Sequence, residues 1–184
     1  MDKKKIIVLV GASGSGKTTI ANKLIESYGY RKVVTTTTRA PRPGEVNGID
    51  YHFVSKEEFA NKLNNHGFVE FTNYAGKMYG TGNDEIDAVI AGKDPAVIVM
   101  DEVGATFMKS TYGEHVLIAH IRRERYDVIM SILERDIPNE EKAKRISSLD
   151  AEDMSASHLY LYDVSEINKD VDTVAAHLHS LLNN

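Results

Sequence analysis

Residues 6–10 form an unbroken apolar run, Ile-Ile-Val-Leu-Val, a second lies at 96–100, and a third, interrupted only by His120, lies at 116–121. A strand with one wet face alternates apolar and polar residues, so an uninterrupted run marks a strand covered on both faces, as in a parallel sheet layered between helices. Helical periodicity fills the gaps between the runs. It predicts helices over 19–28, over the charged stretch 123–135, and again from Glu140 after Pro138. From Asn83 to Gly92-Lys93, Ile86, Val89 and Ile90 share a helical face, and over 171–182 so do Val171, Val174, Ala175, Leu178 and Leu182. A last strand is expected at 159–162.

The middle of the chain has another texture. The β-branched segment 33–38 favours an extended backbone, and Arg39-Ala40-Pro41-Arg42-Pro43-Gly44 is a turn-forming linker before a short strand at 51–54. Ser55 and Glu58 have capping-box spacing, and Phe59 with Leu63 extends a short helix that ends near Gly67. Residues 68–72 and 77–80 read as two strands joined through 73–76, so a small second sheet is expected there. The pattern as a whole is α/β, three layers around a parallel core sheet, without internal repeats or low-complexity tracts.

Composition narrows the functional classes. The chain of 184 residues is the size of one domain. Its net charge of −5 removes any general attraction to nucleic acid or anionic membrane, so a basic site has to be local. Without cysteine there is no disulfide framework and no thiolate metal site, which suits a reducing, cytoplasmic setting. Lys3-Lys4-Lys5 precedes an apolar run too short for export or for crossing a membrane, and the histidines lack zinc-type spacing.

Chemistry enters directly after the first apolar run. Gly11-Ala12-Ser13-Gly14-Ser15-Gly16-Lys17-Thr18 fits the pattern G-x-x-x-x-G-K-[ST], placed between a strand and a helix that Thr19 helps to open. The glycines let backbone N–H groups converge on phosphate oxygens at a helix N-terminus, Lys17 reaches the β- and γ-phosphates, and the Thr18 hydroxyl is placed for Mg²⁺. A nucleoside triphosphate is therefore the leading ligand.

Residues 37–54 read TTRAPRPGEVNGIDYHFV, with Arg39, Arg42, Glu45, Gly48, Tyr51 and Phe53 at a characteristic spacing. Together with Gly67-Phe68-Val69-Glu70, Tyr79-Gly80-Thr81 and the phosphate loop, this stretch resembles the guanylate kinases over Lys5 to about Asp153. The resemblance implies a three-layer P-loop kinase fold with a core at 1–34, 83–122 and 157–184. It adds a small mixed β lobe for GMP at 35–82 and a short helical lid at 123–156, within one domain. It implies transfer of the γ-phosphoryl group of ATP to GMP or dGMP with Mg²⁺, giving GDP and ADP. The expected partners are small molecules, without nucleic acid or membrane, and the expected state is a cytoplasmic monomer or homodimer.

The physical demand agrees with that implication. A monophosphate carries nearly two negative charges and must approach an anionic triphosphate, which requires screening cations and donors. By resemblance, Arg39, Arg42, Tyr51 and Tyr79 grip the acceptor phosphate, with Glu45 in the same set. Glu70 reads guanine N1–H and N2–H₂ alongside Thr35 and Thr81, and adenine would leave its carboxylate facing a lone pair. Asp101 approaches the acceptor nucleotide and the metal region, and Arg135 and Arg145 come from the lid to the transferring group.

Three departures from the family pattern stand out. Val99-Met100-Asp101-Glu102-Val103 holds one acid where the family usually has two aspartates flanking an apolar residue. Ser131 replaces the first lid arginine, with Arg122, Arg123 or Arg125 nearby to compensate. Leu161-Tyr162-Asp163-Val164 stands where an Asn-Asp pair follows the last strand. These departures keep open a P-loop kinase with another phosphorylated acceptor. A non-catalytic guanylate kinase-like binding module is the other alternative, and the intact Gly16-Lys17-Thr18 opposes it.

Overall fold

The computed structural model describes residues 4–74, 76–149 and 160–183. The chain begins with β1 (Ile6–Val10), α1 (Lys17–Tyr28) and β2 (Arg31–Lys32), then forms β3 (Thr36–Thr37), β4 (His52–Phe53), α2 (Lys56–Asn64), β5 (Phe68–Tyr74) and β6 (Lys77–Gly82). It continues through α3 (Asn83–Ala91), β7 (Ala96–Val99), α4 (Glu102–Tyr112), a 3₁₀ turn at Gly113–His115 and β8 (Val116–Arg122). The last elements are α5 (Arg125–Leu133), α6 (Asn139–Ser147), β9 (Val164–Ile167) and α7 (Val171–Asn183).

The larger sheet has the order β2-β7-β1-β8-β9 with every pairing parallel. Successive side chains of β1 feed opposite cores. Ile7 and Leu9 pack with Ile20 and Leu24 of α1 and Val174, Leu178 and Leu182 of α7. Ile6, Val8 and Val10 pack with Ile86 and Val89 of α3 and Ala105 and Met108 of α4. Because both faces are buried, no position in the strand is left for a polar residue, and each of these side chains contributes about 1.5–3 kcal/mol by leaving water. The neighbours of β1 come from distant parts of the chain, so the connections diverge at its carboxyl end and open a crevice there.

The smaller sheet, β4-β3-β6-β5, is mixed: β3 pairs parallel with β4, and β6 antiparallel with both β3 and β5. The Ser55 box closes α2 as its spacing predicts, with Glu58 N donating to Ser55 Oγ at 3.1 Å and Ser55 N donating to Glu58 Oε2 at 2.7 Å.

Three elements differ from the sequence expectation, the first being β2 at Arg31–Lys32, which lies just before the extended segment expected at 33–38. The last strand is Val164–Ile167, not 159–162. Residue 159 lies outside the described residues, while Tyr160 and Leu161 form a 3₁₀ turn whose Leu161 packs into the α3/α4 core. β9 has one strand neighbour and alternates half-buried and exposed residues, so the rule for doubly covered strands passes over it. Helix α4 was not foreseen: Ala105 and Met108 are buried, but exposed Val103 and Phe107 blur its apolar stripe.

Candidate active site

Beyond Val10 the chain folds back over the carboxyl end of its own sheet, and two glycines are obligatory in the turn. A Cβ on Gly11, where φ is 137°, would lie 2.2 Å from the Ile121 carbonyl oxygen. A Cβ on Gly16, where φ is 96°, would lie 2.2 Å from Asn168 Nδ2. The turn ends at the N-terminus of α1, whose first N–H groups lack intrahelical acceptors and point toward any anion placed there. Lys17 Nζ donates to the Gly11 and Ala12 carbonyls at 2.6 and 2.7 Å.

Two cavities meet at this loop. The smaller, about 280 Å³, is lined by Ser13, Gly14, Gly16, Lys17, Thr18, Thr19, Arg123, Ser131 and Arg135. The larger, about 620 Å³, is lined by Gly11, Ala12, Ser13, Lys17, Val99, Met100, Asp101, Glu102, Val103, His120, Arg145 and Ser148. Lys17 and Ser13 belong to both. Arg145 Nη1 donates to Ser13 Oγ at 2.9 Å, while its Nε and Nη2 donate to Glu141 Oε1. The helices that bear these residues rest on the loop through Val128, Ile132 and Leu149, which pack with Ala12 and Ile146.

The smaller sheet carries a second cationic cluster. Arg39 donates Nη1 to Glu45 Oε2 at 2.9 Å and Nη2 to Glu45 Oε1 at 2.8 Å, a bidentate pair, and Nη1 also reaches the Ala40 carbonyl at 2.7 Å. The Arg39 bond and the Arg42 N–H hold the Glu45 carboxyl down at about 2. The guanidinium lies 5.3 Å from the Tyr51 ring centroid and 5.6 Å from that of Phe53, and Glu45 first, then Tyr79, favour its charged form. The rings of Tyr51 and Tyr79 sit edge to face, 6.2 Å apart. Arg42 is exposed, and its backbone N–H donates to Glu45 Oε2 at 2.6 Å.

Neither cavity is lined by Arg39, Arg42, Tyr51, Tyr79 or Glu70, whereas Asp101 lines the larger one. Thr81 Oγ1 donates to Glu70 Oε1 at 2.6 Å, with Thr81 fully buried. Burial pushes the Glu70 carboxyl up, the Thr81 hydroxyl pulls it back, and the nearby charge of Asp101 adds to the rise. Asp101 caps α4, its Oδ1 accepting from Gly104 N at 2.8 Å. A Cβ on Gly104 would fall 3.2 Å from Glu70 Cγ, so the glycine lets the cap and the glutamate approach each other. The structure thus groups Asp101 with Glu70 and the larger cavity, whereas Thr18 lines the smaller one. Thr35, half-buried beside β3, passes its carbonyl to the His52 N–H.

A guanylate kinase family model matches residues 3–184. The chain belongs to the guanylate kinase family. It is 34% identical over 189 residues to the guanylate kinase of Chlorobaculum tepidum, an alignment spanning 99% of this chain and 95% of that protein. It is 33% identical over 183 residues to that of Neisseria gonorrhoeae, spanning 98% and 88% of the two. The crystal structure of guanylate kinase from Anaplasma phagocytophilum superposes with a TM-score of 0.71 at 29% identity, covering 99% of this chain and 86% of that one.

Against the family pattern the structure revises one departure. Because β9 ends at Ile167, the residue after the last strand is Asn168, and Asp163 lies before it. Asn168 is 6% exposed and donates Nδ2 to the Ser15 carbonyl at 2.8 Å, supporting the phosphate loop from below. Asp163 is structural: it accepts from Lys109 Nζ at 2.5 Å and from Ile118 N at 2.8 Å. Sequence reasoning missed Asn168 because the strand before it had been placed too early. Of the three arginines that the sequence offered in place of the one lost at Ser131, Arg123 is the one whose Nη1 donates to Ser131 Oγ, at 2.7 Å.

Proposed function

We propose that the chain transfers the γ-phosphoryl group of ATP to GMP or dGMP, giving ADP and GDP. The observation that carries this reading is that Lys17 lines both cavities, so one cation stands where a donor triphosphate and an acceptor phosphate would meet. The loop N–H groups and α1 hold the donor phosphates. Arg39, Arg42, Tyr51 and Tyr79 hold the acceptor phosphate, with Glu45 fixing the Arg39 fork. Glu70, Thr81, Thr35 and Asp101 read guanine. Arg135 and Arg145 stabilise charge on the transferring group, and no covalent nucleophile is required.

Among the described residues, no group of three or more His, Asp or Glu is arranged around a cation. A hydroxyl such as that of Thr18, which lines the smaller cavity, fits Mg²⁺, which takes one or two protein ligands and completes its shell with phosphate oxygens and water. Thr18 would hold it, and when bound it supplies charge neutralisation on the phosphates. The lobe at 35–82 and the described part of the lid, 123–149, would close over the core and exclude water; the lid expected at 150–156 lies outside the described residues. No helix among the described residues is long and apolar enough to cross a membrane, and a cytoplasmic monomer or homodimer suits the reading.

A panel of nucleoside mono- and diphosphates assayed with ATP and Mg²⁺ tests this function. GMP and dGMP should exceed AMP in kcat/KM by roughly 10⁴-fold, the size of discrimination that a mismatched buried carboxylate imposes. Lys17→Ala should abolish turnover while GMP affinity, measured by calorimetry, stays close to that of the parent. Equal use of AMP, or unchanged turnover in the lysine variant, would refute the assignment.

A further inference from the structure

Three arginines line the two cavities, Arg123, Arg135 and Arg145, and Arg39 stands beside the smaller sheet; their charges are committed differently. Arg39 is neutralised by Glu45 and Arg145 by Glu141. Arg123 is half-buried beside Lys17, Thr18 and Arg135 in the smaller cavity, and among the described residues its side chain meets a neutral partner, the Ser131 hydroxyl at 2.7 Å. A guanidinium has five N–H donors, so one bond to a hydroxyl leaves most of its capacity and all of its charge available to an anion. The position is also rigid: Arg123 directly follows β8, whose Val116–His120 pair with β1 and whose Ala119–Arg122 pair with β9, and Ser131 stands on α5, whose Val128 and Ile132 are buried. Neighbouring Arg122 and Arg125 are exposed and do not line the cavity.

We propose that Arg123 is a catalytic arginine of this chain, contacting the transferring phosphoryl group, and that Ser131 is its positioning residue. The proposal rests on the kinase reading above and supplies what the serine at 131 removes. In the step it serves, an oxygen of the acceptor monophosphate forms a bond to the γ-phosphorus as the bond to the β,γ-bridging oxygen breaks. The electron pair leaves on the ADP phosphate. Arg123 donates N–H bonds to the equatorial oxygens throughout and gives up no proton. A strand-end arginine thereby takes the place of one that would otherwise come from the helix, and the helix keeps a hydroxyl that holds the guanidinium in register.

The test is steady-state kinetics of the full chain with ATP, Mg²⁺ and GMP. Arg123→Ala should lower kcat by about 10³-fold, as loss of a transition-state arginine does in P-loop enzymes, with little change in the KM for GMP. Arg123→Lys should recover little of it, because an ammonium lacks the planar fork. Ser131→Ala should lower kcat without moving KM, and Ser131→Thr, which keeps the hydroxyl, should restore it. Adding Ser131→Arg to Arg123→Ala should raise kcat above the single variant, since the new guanidinium enters the same cavity. A kcat within about threefold of the parent in Arg123→Ala, or in Arg123→Lys should the alanine variant not fold, overturns the proposal. A parent chain that leaves GMP unphosphorylated overturns the kinase reading itself, a distinct result.

Discussion

Gly16→Ala probes the contact on which the phosphate loop rests. The added methyl meets two penalties. An L-residue at φ 96° is strained by about 1–2 kcal/mol. Its Cβ would also fall 2.2 Å from Asn168 Nδ2, forcing the amide off the Ser15 carbonyl. Asn168 is 6% exposed and Ser15 fully buried, so the broken bond leaves polar atoms without water and costs about 1–3 kcal/mol. The sum is about 3 kcal/mol, or a fall in Tm of about 6–12 °C for a chain of this size. Urea unfolding of the parent, Gly16→Ala, Asn168→Ala and the double variant measures it. The double variant should lose less than the sum of the singles, because removing the asparagine removes the clash and leaves the φ strain. Additive losses, or a Gly16→Ala variant as stable as the parent, would refute the claim that Asn168 supports the loop.

Two further outcomes follow from the carboxylates. Glu70 has its pKa raised mainly by burial, so the folded state takes up a proton more readily than the unfolded chain, and stability declines as pH rises through the window above 4.5. Glu70→Gln should therefore raise Tm at pH 7 while weakening GMP affinity, measured by differential scanning fluorimetry and calorimetry; a lower Tm would contradict the burial argument. Glu45 is held near 2 by Arg39 and Arg42, so its contribution is complete above 4.5 and lost as pH falls from there toward 2. Glu45→Gln should flatten the acid-unfolding curve in that window and raise the KM for GMP at pH 7, because the Arg39 fork loses its anchor. An unchanged acid transition would show that the pair does not hold the lobe.

Most of the fold was legible because burial on both faces leaves a plain mark. Ile6–Val10 is apolar and buried throughout, Ala96–Val99 is apolar with its first three residues buried, Val116–Arg122 is buried except at His120 and Arg122, and the three emerge as adjacent strands. The phosphate loop was legible for a different reason: its glycines are required by the backbone itself, as the positive φ values of Gly11, Gly14 and Gly16 show. Elements that carry less burial were harder to see. β9 is a half-exposed edge strand, and α4 mixes buried Ala105 and Met108 with exposed Val103 and Phe107.

What the amino-acid sequence determined alone was chemistry close in the chain: a strand, a glycine turn, Lys17 and Thr18, and an arginine signature spaced from Arg39 to Phe53. Those features are local because backbone geometry and short spacings produce them. Tertiary structure decided which distant groups share an environment: Glu70 with Asp101, Arg145 with Ser13, Asn168 beneath Ser15, and Arg123 with Ser131 beside Lys17. Such pairings depend on parallel strands aligning their carboxyl ends at one edge, and no local spacing encodes which ends will meet.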